Sequence, residues 1–305
     1  MPVLASFEHP SPPMKLLAVL AFGSMAGLAH AATPELVWEM PGLIAPESVV
    51  RDAARHELYV SNMGGHDKTS PKGDGFISRV SVDGKLLQQK WVTGLDNPKG
   101  LALANGHLYA GDDNDLVEID IAKGQITGRY APTDGPGDFN DCTADDAGNV
   151  YVCSGRLLTV FRLHAGKFEP WVKLDRMVTG GINGLRAEKD RLLLGGWSIR
   201  DANGQEQVGH ISTISYKDKT VGRLGHVPIC HIDGLEPDGR GGYTVTDWLT
   251  GDVLHVSSDG QPTPIMKLVQ GSADHTYLVD AKMLIVPLMK DNVLRAFRWA
   301  PVASE

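Results

Sequence analysis

The stretch His107-Leu-Tyr-Ala-Gly111 is a short run of β-forming residues that follows a turn, and similar runs recur along the chain. There are six of them: Glu57-Leu-Tyr-Val-Ser61, His107-Leu-Tyr-Ala-Gly111, Asn149-Val-Tyr-Val-Cys153, Arg191-Leu-Leu-Leu-Gly195, Gly242-Tyr-Thr-Val-Thr246 and Lys282-Met-Leu-Ile-Val286. Another short apolar run precedes each, with turn residues such as Asn105-Gly106 in between, so each unit is predicted to begin with a β-hairpin. A period of about 40 to 50 residues is typical of propellers and solenoids.

Most units continue with a third β-rich run, a glycine-containing turn and a final strand. The third runs are Gly75-Phe-Ile-Ser-Arg-Val80, Asp115-Leu-Val-Glu-Ile119, Leu158-Thr-Val-Phe-Arg162, His210-Ile-Ser-Thr-Ile214 and Asp252-Val-Leu-His-Val256. Helical periodicity is almost absent, so this order predicts an all-β fold, a six-bladed β-propeller of four-stranded antiparallel blades around a central channel. The run Glu35-Leu-Val-Trp-Glu39 precedes the first hairpin and is the candidate strand for closing the ring with the last blade.

The composition is that of an ordinary soluble globular protein. Of 305 residues, 42% are apolar and 22% charged, which excludes a disordered or fibrous chain. The 29 basic residues are outnumbered by 37 acidic ones, and a net charge of −8 offers no basic surface to a phosphate backbone, so we expect no nucleic-acid partner. Motifs for phosphate loops, serine-nucleophile elbows, Cys-x-x-Cys and His-Glu-x-x-His sites are also missing from the sequence.

The N-terminus has the features of an export signal. A short apolar run, Leu16 to Leu28, follows Met14-Lys15, and Ala29-His30-Ala31 has the small-x-small pattern of a signal-peptidase site. We therefore predict a signal peptide over 1–31, with 1–13 as an upstream extension if translation starts at Met14, and one propeller domain over 32–305. The expected location is periplasmic or secreted, with no membrane anchor; the alternative is an apolar N-terminal helix of the domain.

Aligning the six units by their hairpins places a polar or charged residue near the start of each innermost strand. These residues are Glu47, Lys99, Asn140, Asn183, Asp233 and Asp274. The innermost strands of a propeller line its central channel, so we expect the six side chains to meet at one mouth of the channel.

A divalent cation would explain this ring. Glu47 and Asp233 offer carboxylates, and Asn140 and Asn183 offer amide oxygens, a donor set that suits Ca²⁺, Mg²⁺, Mn²⁺ or Zn²⁺. Without a cation, two carboxylates packed together in a dry channel repel each other or become protonated. The alternative is that each Asn-Gly or Asp-Gly pair only forms a turn at a strand entry.

Four motifs follow the order and spacing of the blades. They are Pro46-Glu47, Asn140-Asp141 followed by Asp145-x-x-Gly148, Asn183-Gly184-Leu185, and Asp233-Gly234-Leu235 with Asp238-Gly239. Together they resemble the signature of the gluconolactonase and regucalcin (senescence marker protein) family, and the resemblance covers essentially all of 32–305. The segment from Asp233 to Trp248 matches best.

The resemblance implies one divalent metal ion held by the equivalents of Glu47, Asn183 and Asp233. Calcium is the first expectation, and zinc, manganese and magnesium are the alternatives. Asn140 would lie beside it, in contact with metal or substrate. Members of this family hydrolyse lactones, with the metal polarising the carbonyl group of a small-molecule substrate. Asp233 is then the candidate general base, although it could serve only as a ligand.

The substrate-binding residues depart from the family pattern. Sugar-lactone members carry an arginine two residues before the first asparagine of the pair, and Asp138 stands there instead. Lys99 is a candidate donor to the substrate or, alternatively, an ion-pair partner of Glu47. His275 is an alternative base or a structural histidine.

An outer ring is expected where the second strands end. Its candidates are Asn62, Asp112, Trp197, Asp247 and Trp248. The tryptophans, Trp248 above all, would form the apolar wall of a substrate pocket or else pack between blades. The glycine-rich insertion 63–75 is a candidate lid over that mouth.

The three cysteines leave two arrangements open. Cys142 and Cys153 flank a short turn and could form a disulfide across a hairpin, or they could be buried free thiols like Cys230. An odd number leaves at least one cysteine outside any intrachain pair.

Two functions from different classes fit these observations. The first is an exported metal-dependent hydrolase that opens a lactone or related ester with activated water. The second is a non-catalytic propeller that binds a ligand or partner protein and uses the ion structurally. The sequence specifies neither the oligomeric state nor which lactone or ester is the substrate.

Overall fold

A computed structural model describes residues 33–65, 71–201 and 203–301. The predicted signal peptide over 1–31 and the centre of the predicted lid, 66–70, lie outside the described residues. The described part folds into six four-stranded antiparallel sheets and one two-stranded hairpin, which confirms the predicted six-bladed propeller. No helix in this part of the chain has the length and hydropathy needed to cross a membrane.

In five of the blades the strands are arranged from the channel outward in the order in which they occur in the sequence. One strand, β1 (Glu35–Pro41), comes before all the blades in the sequence. Blade 1 contains β2 (Pro46–Asp52), β3 (Glu57–Asn62), β4 (Gly75–Ser81) and β5 (Leu86–Leu95). Blade 2 contains β6 (Pro98–Ala104), β7 (His107–Asp112), β8 (Asp115–Asp120) and β9 (Gln125–Tyr130). Blade 3 contains β10 (Phe139–Ala144), β11 (Val150–Ser154), β12 (Thr159–His164) and β13 (Lys167–Lys173).

Blade 4 carries two additions to this plan, a helix before it and a hairpin within it. The helix is α1 (Arg176–Thr179), and the blade strands and inserted hairpin are β14 (Ile182–Ala187), β15 (Arg191–Gly196), β16 (Ser198–Arg200), β17 (Glu206–Val208), β18 (Ile211–Ser215) and β19 (Val221–Arg223). Blade 5 contains β20 (Ile232–Pro237), β21 (Tyr243–Asp247), β22 (Asp252–Val256) and β23 (Pro262–Lys267). Blade 6 contains β24 (Thr276–Leu278), β25 (Met283–Leu288) and β26 (Val293–Arg298), with β1 as its outermost strand.

The ring closes as predicted, because β1 pairs antiparallel with β26. The register sets Met40 opposite Leu294 and Glu35 opposite Arg298. Met40 is buried in a cluster that contains Val49 and Leu58 of blade 1 and Ile285 and Leu294 of blade 6. The N-terminal strand thus completes the last blade and packs against the first.

Aspartates make the turns that follow several inner strands. The carboxylate of Asp145 accepts hydrogen bonds from the backbone N–H groups of Ala147 and Asn149, at 3.0 and 2.9 Å. Asp238 accepts from Arg240 and Gly242 in the same way, at 2.6 and 2.9 Å. These side chains replace backbone partners in the turn, which is why an Asp stands at this position of the motif.

The inner strands of blades 1 to 5 share an irregularity near their starts. In each, the pairing with the second strand shifts register, between Pro46 and Val49, Pro98 and Leu101, Phe139 and Cys142, Ile182 and Leu185, and Ile232 and Leu235. A β-bulge of this kind bends the strand and redirects the side chains within it. Five of the six predicted ring residues lie inside these shifts.

The three cysteines are free and buried, so the disulfide alternative is wrong for Cys142 and Cys153. The Cys142 thiol donates to the carbonyl oxygen of Gly100 at 3.0 Å, and the Cys153 thiol donates to that of Asn183 at 2.9 Å. Both groups are therefore held within the inner strands as small buried side chains.

Met40→Ala tests the closing strand. We expect the free energy of unfolding to fall by about 2 to 4 kcal/mol, since truncating a buried methionine leaves a cavity between the first and last blades. Leu36→Ala is the control, because Leu36 lies on the same strand and is 52% exposed. It should change the free energy of unfolding by less than about 0.5 kcal/mol. Equilibrium urea unfolding measures both, and equal effects would contradict the role given to β1.

Candidate functional site

A cavity of about 440 Å³ lies at the channel mouth where the inner strands begin. Its lining includes Glu47, Lys99, Asp138, Asn140, Asn183, Asp233 and Trp248. All the residues predicted as metal, catalytic or substrate contacts therefore come together around one cavity. Which of these roles each performs remains a prediction.

The floor of the cavity contains a chain of hydrogen bonds from one blade to the next. The Asn140 side-chain amide donates to Asn183 Oδ1, and the Asn183 amide donates to Asp233 Oδ1. Two carboxylate oxygens, Glu47 Oε2 and Asp233 Oδ2, are buried and have no hydrogen-bond partner among the described residues. Buried polar atoms without a partner are rare in folded proteins, so these two oxygens require an explanation.

The electrostatics of this floor oppose ionisation. Burial first, then repulsion from Asp233 and Asp274, raises the pKa of Glu47 well above its ordinary value, while Lys99 lowers it. Burial raises the pKa of Asp233 to about 7, against the lowering effects of its hydrogen bond from Asn183 and of the Lys99 charge. Burial and nearby acids likewise raise the pKa of Asp141, one residue beyond Asn140.

A divalent cation fits this arrangement. Glu47 and Asp233 supply two carboxylates with free buried oxygens, and Asn183 adds an amide, which is a hard-oxygen donor set. A cation at this point would give the orphaned oxygens a partner and offset the repulsion between the acids. The donor set depends on the Asn183 amide. In the described ranges, no three His, Cys, Asp or Glu side chains are grouped with metal-binding geometry.

Lys99 is free to act on a ligand. Its ammonium group donates to the Phe139 carbonyl oxygen at 3.4 Å and lines the cavity. Among the described residues it forms no ion pair with Glu47 within 4.0 Å, so that alternative is not realised. Asp138 is exposed at the cavity edge, in a left-handed conformation with φ 45°.

The sixth blade departs from the predicted ring. Asp274 lines a second cavity of about 600 Å³, further along the channel, instead of the mouth. Its N–H donates to the Glu47 carbonyl oxygen at 2.9 Å, and its carboxylate accepts from Ser48 Oγ at 2.6 Å. These bonds hold the start of the blade against β2, so the mouth receives five of the six predicted ring side chains.

His275 is structural. It is 1% exposed, and its ring nitrogens lie 2.8 Å from Thr244 Oγ1 and 3.4 Å from Thr246 Oγ1. Burial, with a contribution from the Arg186 charge, lowers the pKa of His275 to about 3. The alternative of His275 as a base is therefore not supported by its position.

The predicted outer ring separates into two kinds of residue. Trp197 and Trp248 line the cavity, with ring centroids 6.2 Å apart and planes at 51°. Asp247 instead accepts from the N–H groups of Leu249 and Thr250, both at 2.9 Å. Asp112 accepts from the N–H of Asn97 at 2.6 Å, and these two aspartates hold loops in place.

Asn62 also has a structural role, since its side chain accepts from the Ile44 N–H and donates to Ser78 Oγ. Sequence reasoning missed Met63, Ile182 and Met289, which line the cavity as well. Met63 and Met289 each follow the end of a strand, as the tryptophans do, and that shared position is the signal that could have identified them.

The comparisons with known proteins concern the fold. No protein-family model and no curated protein matches the chain. A gluconolactonase from Xanthomonas campestris has a similar structure, with a TM-score of 0.61 and 18% identity over 87% of each chain. Virginiamycin B lyase from Staphylococcus aureus gives a TM-score of 0.58 and 10% identity over 86% of this chain and 98% of the lyase. A catalytically inactive form of that lyase with quinupristin gives a TM-score of 0.56 and 11% identity over 83% of this chain and 94% of the lyase.

At these identities the similarity establishes a shared propeller fold. The gluconolactonase among the similar structures agrees, at the level of fold, with the resemblance carried by the four motifs.

The acidic floor predicts how stability depends on pH. A raised pKa means that the folded protein binds protons more tightly than the unfolded chain, so stability falls as pH rises. For metal-free protein we expect the melting temperature to fall from about pH 5 to about pH 8, a range that spans the raised Asp233 pKa of about 7. Added calcium should restore more stability at the higher pH, because cation and protons compete for the same oxygens.

Thermal unfolding in EDTA, with and without calcium, measures this effect. Glu47→Gln is the matched variant, since it keeps the shape of the side chain and removes one of the interacting charges. Its melting temperature should depend less on pH than that of the wild type. The same pH dependence in both proteins would contradict the assignment of the effect to this floor.

Proposed function

We propose that this protein is a divalent-metal-dependent hydrolase that opens a lactone or a related ester. The observation that supports this most directly is the pair of buried carboxylate oxygens, Glu47 Oε2 and Asp233 Oδ2, without a hydrogen-bond partner beneath an open cavity. A purely structural acid pair would be expected to have both oxygens satisfied. The fold of a gluconolactonase is consistent with the proposal.

The residues that would hold the cation are Glu47, Asn183 and Asp233. A bound divalent cation supplies Lewis acidity towards a carbonyl oxygen, and calcium is our first expectation because all the donors are oxygens. The hydrogen bond from Asn183 to Asp233 fixes both side chains, so the donor set is preorganised. Trp197 and Trp248 line the wall of the same cavity.

Asp233 is the candidate general base. Asn183 donates to its Oδ1, and that oxygen keeps a second lone pair, so the carboxylate can take a proton from a water molecule while Oδ2 remains available to the cation. The water oxygen adds to the carbonyl carbon, and the bond from that carbon to the ring oxygen then breaks. The proton held by Asp233 passes to the departing alkoxide, so the net change is one water added across the ester bond.

Lys99 and Asn140 are placed to orient the substrate. Lys99 is half-buried at the cavity and has only a 3.4 Å hydrogen bond to Phe139, so its ammonium can turn towards a substrate oxygen. Asn140 is also half-buried, and its position next to Asn183 gives it access to the same oxygen atoms. Preorganised donors of this kind stabilise the negative charge that develops on an acyl oxygen.

Asp233→Asn tests the proposal. The amide keeps the size of the side chain but cannot take the proton, and it weakens cation binding, so we expect lactone hydrolysis to fall by about 10²- to 10⁴-fold. The variant should remain folded, since removal of a buried carboxyl with a raised pKa relieves repulsion. A lactone and ester hydrolysis screen with elemental analysis of bound metal measures both properties on one preparation.

Asp134→Asn is the control, because Asp134 is exposed in the loop between β9 and β10 and does not line the cavity. Its rate of hydrolysis should stay within about threefold of the wild-type rate, because an exposed charge is screened by salt. If Asp233→Asn loses the metal and unfolds while no ester or lactone is turned over by wild type, the ion is structural and the protein is a binding module. A product that has not gained the mass of one water would indicate elimination instead of hydrolysis.

A further inference from the structure

The cavity at the channel mouth has two chemically different sides. Lys99, Asp138 and Asn140, from blades 2 and 3, form a polar side. The opposite side is apolar and consists of Met63, Ile182, Trp197, Trp248 and Met289. Since the candidate metal ligands lie at the base between the two sides, a bound ester would present its carbonyl group there and its body to one side or the other.

Part of the apolar side, Met63, Met289 and Trp248, belongs to a packed cluster of its own. Six other buried apolar clusters fill the spaces within and between neighbouring blades, but this one consists of Ala45, Met63, Ala273 and Met289 at the channel mouth, with Trp248 packed against it. Met63 and Met289 are each 7% exposed, so both are already in place without a ligand. The wall is therefore preformed, and the methionines allow some variation in ligand shape.

Both indole rings are held by neighbours outside the cavity. The Lys290 ammonium lies 5.0 Å from the centre of the Trp248 ring, and the His231 ring packs edge-on against Trp197 at 5.5 Å. These contacts orient the rings, whose centroids are 6.2 Å apart, while both residues stay half-buried. Oriented and partly exposed aromatic faces are suited to contact with an apolar or cyclic ligand.

The surface next to this wall is also apolar. Leu249 follows Trp248 directly and is 42% exposed, and Ile44 precedes Ala45 of the cluster and is 41% exposed. Val269, whose carbonyl oxygen accepts from the Ser272 N–H near Ala273, is 37% exposed. Three exposed apolar side chains thus stand within a few residues of this cluster along the chain.

We propose that the substrates are lactones or esters with an apolar body, an aromatic ring or an alkyl chain, that packs on Trp197 and Trp248. This inference rests on the proposed function and specifies its substrate class. On this wall a polyhydroxylated sugar lactone is disfavoured, because hydroxyl groups against Met63, Ile182 and Met289 would find no hydrogen-bond donor and would be desolvated. Trp197 and Trp248 are then the residues that determine specificity.

Steady-state hydrolysis of two lactones tests the inference on the calcium-loaded protein. Dihydrocoumarin represents the apolar class and gluconolactone the polyhydroxylated class. We expect kcat/KM for dihydrocoumarin to exceed that for gluconolactone by about tenfold or more. Trp248→Gln should lower the first value about tenfold, whereas Trp248→Phe should retain most of it.

Binding of β-tetralone provides a readout that does not depend on turnover. This ketone has the shape of dihydrocoumarin but no ester bond, and calorimetry measures its affinity for the metal-free protein. We expect Trp248→Gln to weaken binding about tenfold. Trp91→Gln, on the outer strand of blade 1 where Trp91 stacks on Tyr59, is the matched control and should bind as wild type does. If Trp248→Gln fails to fold, Trp197→Gln takes its place in this test.

The outcomes separate this inference from the function on which it rests. Preferred hydrolysis of gluconolactone, or hydrolysis of dihydrocoumarin that Trp248→Gln and Trp197→Gln leave unchanged, would overturn the substrate class and retain the hydrolase. Binding of β-tetralone that depends on the tryptophans, without hydrolysis of any lactone, would retain the apolar ligand class and overturn the hydrolase.

Discussion

The close approach of the inner strands at the channel axis is the constraint on which the site depends. A side chain at Gly100 would collide with Asp141, one at Gly184 with the Asp233 backbone, and one at Gly234 with His275. Glycine at these positions lets neighbouring blades meet without a side chain between them. Asp141 and Asp233, which lie against these glycines, are buried, and burial raises the pKa of both, as it raises the pKa of Glu47.

Much of the fold could be predicted because each blade repeats the same local chemistry. Turn-forming aspartates such as Asp145 and Asp238 act within a few residues of chain, so their pattern is visible in the sequence. The alternation of short apolar runs and turns fixed the number of blades, and β1 could be assigned by exclusion, since Glu35–Pro41 has no hairpin partner nearby. The local preferences of each blade therefore agree with the closed ring that the whole domain forms.

The site was harder to predict because it depends on small differences between blades. The polar residues at the mouth lie in register shifts that blades 1 to 5 share, and no spacing in the sequence shows that Asp274 of blade 6 is drawn to Ser48. Met63 and Met289 reach the cavity from strand ends without any motif. Whether His275 faces the channel or the core depends on tertiary partners, here Thr244 and Thr246.

The apolar wall and the acidic floor act on each other. A ligand body packed on Trp197 and Trp248 would displace water from above Glu47 and Asp233, and electrostatic interactions strengthen where water is excluded. The same exclusion makes an unpaired carboxylate less stable, so it increases the need for a cation or a proton at the orphaned oxygens. An apolar ligand would therefore bind most favourably when a cation or a proton neutralises the floor.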